Sequence, residues 1–542
     1  METEPHRFDS FLDCVLKLTI DGTATTVPKG QVEEIEVALH PWGFDAEVAF
    51  WLSSERQTDS LFASFVKKKR IEVSLTVSPS LEGSQGDKIA LQGFVTEKSL
   101  REQTVTAVTG FPVKFRRYVV RFSDPARVLW RQHRPNDLFV DSTFQAVVDA
   151  HKGDKITIAV NEWDVTQKQH PVQFVGLGAD PREASFYDLV AWFVATENGV
   201  WVYDSATNKY KLVGSKPAAT GTPHKLQPTE VASWEVRFPE TPRFKVNVQN
   251  SDSASAATNE VANEEAATGM RRDYLVRTTI AADVTDRVNL ETARLVLPDH
   301  ELEVELGAYP NHAFLPGAMV DFSHGSFGTK IYPSGKTYRV RDVRFHAQGS
   351  AEQARLETTT ATQGLQVSLS LGLELQEEKR VSLPEYVIPA WPVLVEGNVV
   401  SEQGADDEET YQFYTDQDTS IDQYKVKIPL WANKIVVAPY DPEGYSSHVY
   451  FPLIKKERVL VALSWRSARI VRTLDWRAGA RLPQDSQGDH IIFGKKAADQ
   501  TSISHAYDNS LPVLTVKRTK EKDTETIEIR DGRIRLHTEE EQ

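Results

Sequence analysis

Short apolar runs, each cut off by glycine, proline or serine, dominate this sequence. Cys14–Ile20, Glu34–Leu39, Glu47–Leu52, Ile71–Val77, Ile89–Val95 and Tyr118–Phe122 are rich in Val, Ile, Leu and Phe. Clusters of turn formers lie between them, which is the punctuation of strands. The spacing predicts a β-barrel or β-sandwich rather than alternating strands and helices. At about 150 residues per domain, the 542 residues make three or four domains. The 40% hydrophobic content is enough for several cores and excludes global disorder. A net charge of -15, from 62 Lys and Arg against 77 Asp and Glu, has the wrong sign for a dedicated nucleic-acid binder. The single cysteine, Cys14, excludes an intrachain disulfide and a cysteine-based zinc site.

The first residues show no basic stretch followed by an apolar one, so synthesis in the cytoplasm without a signal peptide is expected. No window approaches the length of a membrane-spanning helix. Two helices stand out. Ser142–His151 places Phe144, Val147, Val148 and His151 at helical spacing, and Gly153 follows as a stop. Ser185–Glu197 places Phe186, Leu189, Val190 and Phe193 on one face. Ser185 and Asp188 have capping-box spacing, and Asn198-Gly199 ends the helix. A third helix is predicted near Asp286–Leu297. Ser251–Gly269 reads as a surface loop or short polar helix. Ala318–Phe322, Thr337–Phe345 and Ala354–Thr360 read as strands, and residues 366–383 as a connector.

Residues 381–424 hold ten acids and no Lys or Arg. Five strand candidates surround this block: Val393–Ser401, Gln423–Pro429, Lys434–Pro439, Arg458–Ser464 and Ala468–Leu474. Five short strands so close together suit a small OB-type barrel. From Asp489 onward the pattern becomes thin alternation. Leu511–Val516, Glu525–Arg530 and Arg533–His537 alternate polar with apolar residues, and Asp531-Gly532 is a two-residue hairpin signal. Such a tail is marginal in water by itself, so it needs the rest of the protein or copies of itself.

No catalytic constellation stands up. There is no GxSxG elbow, HExxH or paired-CxxC spacing. Gly335-Lys336-Thr337 imitates the end of a phosphate-binding loop. The residue five before Gly335 is Lys330 where glycine is required, so a hairpin turn is the better reading. His346, at a strand end, reads as a packed or hydrogen-bonded histidine. The acids Asp406 to Glu409 lack the spacing of a calcium loop. The acidic block from Val381 to Tyr424 argues against oligonucleotide binding, because phosphate contacts need a basic groove. No cofactor or metal is expected, and the protein is read as a non-enzyme. The rival readings are a carbohydrate-active β-rich enzyme and a nucleic-acid-binding OB module.

Three segments together resemble the VgrG family, the spike proteins of contractile injection systems, and the related hub and spike proteins of contractile-tailed phages. The first runs from Glu183 to Tyr203, an aromatic helix, then Asn198-Gly199 and an aromatic strand. The Asp141–Gly153 helix and the Asp124–Pro135 lead-in accompany it. The second is Leu315-Pro316-Gly317 followed by Tyr338 to His346. The third is Tyr424-Lys-Val-Lys-Ile-Pro-Leu-Trp431, then Val436, Ala438 and Pro439, then Glu457-Arg-Val-Leu-Val-Ala462. One departure is Lys456, where the family usually has glycine, and the acidic insertion 402–422 is longer than expected.

The resemblance implies a mainly β fold with helical inserts (α+β). The expected parts are hub β-barrel 1 over 1–123, a helical insert region over 124–230 and hub β-barrel 2 over 231–380. An OB-fold neck follows over 381–484, and a short intertwined trimeric β-helix spike over 485–542. It implies a homotrimer that caps a tail tube, adapts three-fold to six-fold symmetry and punctures a membrane. Its expected partners are a tube or hub-adaptor ring protein, baseplate proteins, a PAAR-like tip protein and a cargo effector, with no nucleic acid. Tip contact is expected at Arg533, Ile534, Leu536, His537 and Thr538. With no lysozyme-like domain and no room for a toxin domain after the tail, a structural spike of a compact particle is expected. Phage, type VI-like apparatus and released extracellular particle all remain open.

Overall fold

The computed structural model describes residues 5–53, 59–80, 88–106, 112–178, 180, 182–219, 221–278, 280–322, 327, 330–350, 354, 364–406, 408, 410–415, 421–440, 452–474, 487–496 and 498–540. Strands far outnumber helices among them, so the fold is mainly β. The chain forms two compact units. One comprises Met1–Asn136, Thr143–Gln169 and Leu177–Ala390; the other comprises Asp137–Ser142, His170–Gly176 and Trp391–Gln542.

In the first unit all six N-terminal strand candidates form, most of them longer than the apolar runs. They are Phe8–Ile20, Val32–His40, Gly43–Ser53, Ile71–Pro79, Ile89–Thr106 and Pro112–Ser123. The alternation has the expected cause: in Ile71–Pro79 the residues Ile71, Val73, Leu75 and Val77 are buried while Glu72, Ser74 and Thr76 are half-buried. Two later strands, Thr337–Gln348 and Gly364–Leu375, join them. Read by hydrogen bonding, Thr337–Gln348 is followed by Val32–His40, Gly43–Ser53, Pro112–Ser123, Ile89–Thr106, Ile71–Pro79, Phe8–Ile20 and Gly364–Leu375. That last strand pairs again with the first, so eight antiparallel strands close a ring. Closure gives every ring strand two partners and leaves no edge.

Gly364–Leu375 corrects the expected connector over 366–383. Leu365, Val367, Leu369 and Leu371 are buried at period two. It pairs with three strands, Phe8–Ile20, Glu301–Leu306 and Thr337–Gln348. The same sheet continues through Val231–Arg237 at one end and through Met319–Phe322 to His224–Leu226 at the other. The candidate Ala354–Thr360 lies outside the described residues apart from Ala354. Ser251–Gly269 is not all loop: Ala257–Val261 is a strand against Lys245–Asn250, whose other neighbour is Arg271–Val276. The predicted helices occur at Phe144–His151, Phe186–Thr196 and Ala281–Leu295. Phe144 and Phe193 stack at 3.6 Å between ring centroids, which locks the first two together.

The second unit contains the five predicted strands, as Val393–Val400, Asp422–Ile428, Lys434–Pro439, Arg458–Ser464 and Ser467–Thr473. Val393–Val400 lies between Asp422–Ile428 and Arg458–Ser464, and these carry Lys434–Pro439 and Ser467–Thr473 on their far sides. A parallel bridge from Tyr440 to Ile470 joins the two ends. The sequence reading missed a two-stranded ribbon, Asn136–Ser142 with His170–Gly176, that packs on this core. Leu138, Val172 and Phe174 are buried among Val399, Tyr424, Val426, Val436 and Val461. The Phe174 amide donates to the Trp465 carbonyl at 3.0 Å.

Lys456, the departure noted above, has φ +69°. It stands in the left-handed region that glycine enters without cost, while its amide donates to the Val399 carbonyl at 2.8 Å. A Cβ there costs about 1–2 kcal/mol, part of which glycine's greater unfolded-state freedom returns. Lys456→Gly is therefore expected to raise stability by about 0.5–1 kcal/mol, read as a higher denaturant midpoint at unchanged slope.

Candidate functional site

From Asp489 the chain forms a five-stranded antiparallel meander: Asp489–Lys496, Asp499–Asp508, Leu511–Lys520, Asp523–Arg530 and Arg533–Glu539. The final turn is the predicted one, with Asp531 at φ +44° and Gly532 at φ +71°. Positive φ at both central residues gives the turn whose twist matches paired strands. Asn509 and Ser510 do the same at φ +47° and +68°.

The register sorts the side chains onto two unlike faces. Ile491, Ile503, Val516, Ile527 and Leu536 stand opposite one another in turn, forming an apolar row across all five strands. On the same face, one flanking row holds Asp489, His505, Leu514, Ile529 and Ile534, and the other Phe493, Thr501, Arg518, Glu525 and Thr538. The other face carries His490, Ser504, Thr515, Glu528 and Arg535 in one row, and Ile492, Ser502, Lys517, Thr526 and His537 in the next. The apolar face is not covered: Ile491 is 53% exposed, Ile534 68% and Leu536 75%. Among the described residues nothing pairs with the outer edge of Asp489–Lys496 or of Arg533–Glu539. An amphipathic sheet with a bare apolar face and two open edges is an interaction surface.

All five residues expected at the tip contact lie exposed on the last strand. They do not share a face: Ile534, Leu536 and Thr538 belong to the apolar face, Arg533 and His537 to the polar one. The first two strands of the meander were not foreseen. Their Ser, Thr and His content hides the alternation that Ile491, Phe493, Thr501 and Ile503 complete.

Other candidate groups have structural partners. Gly335 has φ +76° in the turn before Thr337–Gln348, as a hairpin reading requires. His346 Nε2 lies 3.4 Å from Glu34 Oε1. Among the described residues no group of three or more His, Cys, Asp or Glu is placed to hold a metal ion. Asp407 and Glu409 lie outside the described residues. The most deeply buried carboxylate is Asp124, which caps the helix Pro125–Trp130. It accepts from the Arg127 amide at 3.0 Å, the Phe44 amide at 3.3 Å and the Tyr210 hydroxyl at 2.7 Å. Burial outweighs these bonds and pushes its carboxyl up to about 6.

No family model matches the sequence, and no curated protein matches it either. Solved structures do. A chain of the Francisella PdpA–VgrG complex in its lidded form superposes with a TM-score of 0.73 at 12% identity, over 98% of this chain and 80% of that one. The lidless form gives 0.71 at 12% identity, over 98% and 99%. The half-lidded form gives 0.70 at 13% identity, over 98% and 88%. The chain has a VgrG-like spike fold. The VgrG-like likeness spans both compact units, and it rests on fold rather than on shared residues.

Asp124 sets a pH dependence. Its folded carboxyl holds a proton more tightly than the unfolded chain does, whose aspartate titrates near 3.8. The stability it contributes is full below that value and is lost as pH rises through about 6. The loss is on the order of 2–3 kcal/mol. Asp124→Asn is expected to flatten that part of the stability profile, measured as denaturant midpoints between pH 4 and 7 against the parent.

Proposed function

We propose that this protein is the structural spike and hub of a contractile injection system, acting as a homotrimer without catalysis. The observation that carries this reading is the uncovered apolar face of the terminal meander. Each large aliphatic side chain gains roughly 1.5–3 kcal/mol on full burial. Three copies wound about a common axis bury these rows against one another and give the open edges partners. The meander then becomes a three-stranded β-helix. Shear along it has to break many hydrogen bonds together, which suits a part that transmits thrust into a membrane.

The rest of the architecture fits that reading. The eight-stranded ring is the first hub barrel. The strands running through Val231–Arg237, Glu301–Leu306 and Met319–Phe322 are the second, sharing Thr337–Gln348 and Gly364–Leu375 with it. Two barrels per chain make six in a trimer, the number needed to meet a six-fold tube ring. The five-stranded ring of the second unit has the neighbour order of an OB fold, with a parallel contact between its third and fifth strands. Tube, hub-adaptor and baseplate proteins are the proposed partners of the hub. A PAAR-like tip protein would seat on the Arg533–Glu539 end, with a cargo effector carried by the assembly. The protein would be made in the cytoplasm and leave it only as part of the particle.

Light scattering tests the assembly. Three copies of a 60.9 kDa chain weigh about 183 kDa, and a stable monomer at micromolar concentration would sink the proposal. The double substitution Ile527→Asp with Leu536→Asp puts two charges in the central row. It is expected to shift the mass toward 60.9 kDa while the hub melts as before.

A further inference from the structure

Between the last hub strand and Trp391 the chain runs without regular secondary structure from Lys379 to Ala390. From Gln376 to Val387, charged side chains of the first unit hold five main-chain groups, and the Gln376 amide also donates to the Thr337 carbonyl at 3.0 Å. Arg339 donates through Nη2 to the carbonyls of Gln376 at 3.2 Å and Glu378 at 3.3 Å. Lys216 donates to the Arg380 carbonyl at 2.8 Å. Arg131 donates to the Glu385 carbonyl at 3.1 Å. Asp188 accepts from the Val387 amide at 3.2 Å.

The anchors are themselves built in. Arg339 and Asp188 are 7% and 3% exposed. Glu374 Oε1 lies 2.6 Å from Lys216 Nζ and 3.2 Å from Arg339 Nε, so one carboxylate holds both cations. The Arg131 guanidinium lies 4.7 Å from the Tyr187 ring centroid and 3.7 Å from Asp188. Asp188 divides its oxygens between two tasks. Oδ2 closes the capping box, accepting from the Ser185 amide at 2.8 Å and hydroxyl at 2.5 Å, while Oδ1 takes the Val387 amide. A capping box needs only one of these oxygens. The strap's own side chains divide between solvent and the first unit: Glu377, Lys379, Arg380, Glu385 and Val387 are exposed, whereas Val381, Ser382, Leu383 and Tyr386 are half-buried and Pro384 is buried. The printed bonds from these anchors reach only the strap's main chain, which fixes its path.

We infer that residues 376–387 are a load-bearing strap, clamped to the first unit by Arg339, Lys216, Arg131 and Asp188. Force entering at Trp391 reaches the helix Phe186–Thr196 through Asp188 and the hub strands through Arg339. The clamp stands on its own geometry; its load-bearing role rests on the spike reading above. Fully extended, the strap would span roughly 40 Å, and release would add what remains of that length beyond its clamped span.

Hydrogen exchange on the full chain tests the clamp independently of that role. In the parent, peptides covering 379–388 are expected to open only together with peptides of the helix Phe186–Thr196. Exchange of the strap at unprotected rates while that helix stays protected would overturn the clamp. In the double variant Arg131→Ala with Lys216→Ala, the strap is expected to exchange at least tenfold faster, the helix unchanged. An unchanged strap would also overturn it. Load bearing is read by stretching the full chain between cysteines introduced as Pro5→Cys and Lys522→Cys. An early step shorter than roughly 40 Å is expected at lower force in the variant than in the parent; the same step at the same force in both would refute load bearing and leave the clamp standing.

Discussion

Every backbone N–H and C=O that leaves water has to find a partner, and in a chain made of strands that requirement means closure. The first unit meets it by bringing Thr337–Gln348 and Gly364–Leu375 back against Val32–His40 and Phe8–Ile20. The second meets it through the contact of Tyr440 with Ile470. The terminal meander has no such device. It is long enough to have two edges, too thin to bury its Ile and Leu rows, and flat enough to leave both faces wet. On the proposed reading, the open edges and apolar rows of the meander are finished by other copies.

Local pattern carried a large share of this. Apolar runs punctuated by turn formers located the six N-terminal strands and the five strands of the second unit, and the Ser185–Asp188 spacing located the capping box that the structure forms. Failures came where identity depends on distant chain. Asn136–Ser142 and His170–Gly176 are short and polar-flanked; only the core formed with Val399, Tyr424 and Val461 makes them structural. Gly364–Leu375 has a clean alternation, but its three strand partners lie as far away as Phe8–Phe11, which no local window contains. In the meander, Ser502 and Ser504 share strand Asp499–Asp508 with Ile503, so its apolar row becomes visible only when five strands are set in register. The expected tip residues illustrate the same limit: adjacency in sequence placed them on one strand, and pleating divided them between faces.

Twelve percent identity across 98% of the chain shows how little of this fold needs particular residues. Lys456 makes the point. The backbone takes φ +69° there although the residue is a lysine, and its amide bond to the Val399 carbonyl and the start of Arg458–Ser464 hold the path. The side chain bears the strain, and the topology does not move.

The acid-rich stretch around Glu402 also changes meaning once its partners are known. Glu402 pairs with Lys425 at 2.7 Å, and Glu396 with Arg458 at 2.8 Å. Glu402 is 66% and Glu396 60% exposed at the side chain, so these ion pairs contribute little stability in water. What orders the excursion is polar and local. The Glu408 carboxylate accepts from the Ala405 amide at 3.0 Å, and Thr410 donates to the Gln403 carbonyl at 2.7 Å. The Glu402 amide donates to Gln412 at 2.8 Å, and Lys455 donates its own amide to Thr410. Of the described acids, Glu408 accepts a bond within the turn, while Glu396 and Glu402 pair with cations. The cations that answer the acids of this stretch, Lys425, Lys455 and Arg458, sit on or beside the neighbouring strands, outside the stretch in which sequence composition counted only one sign.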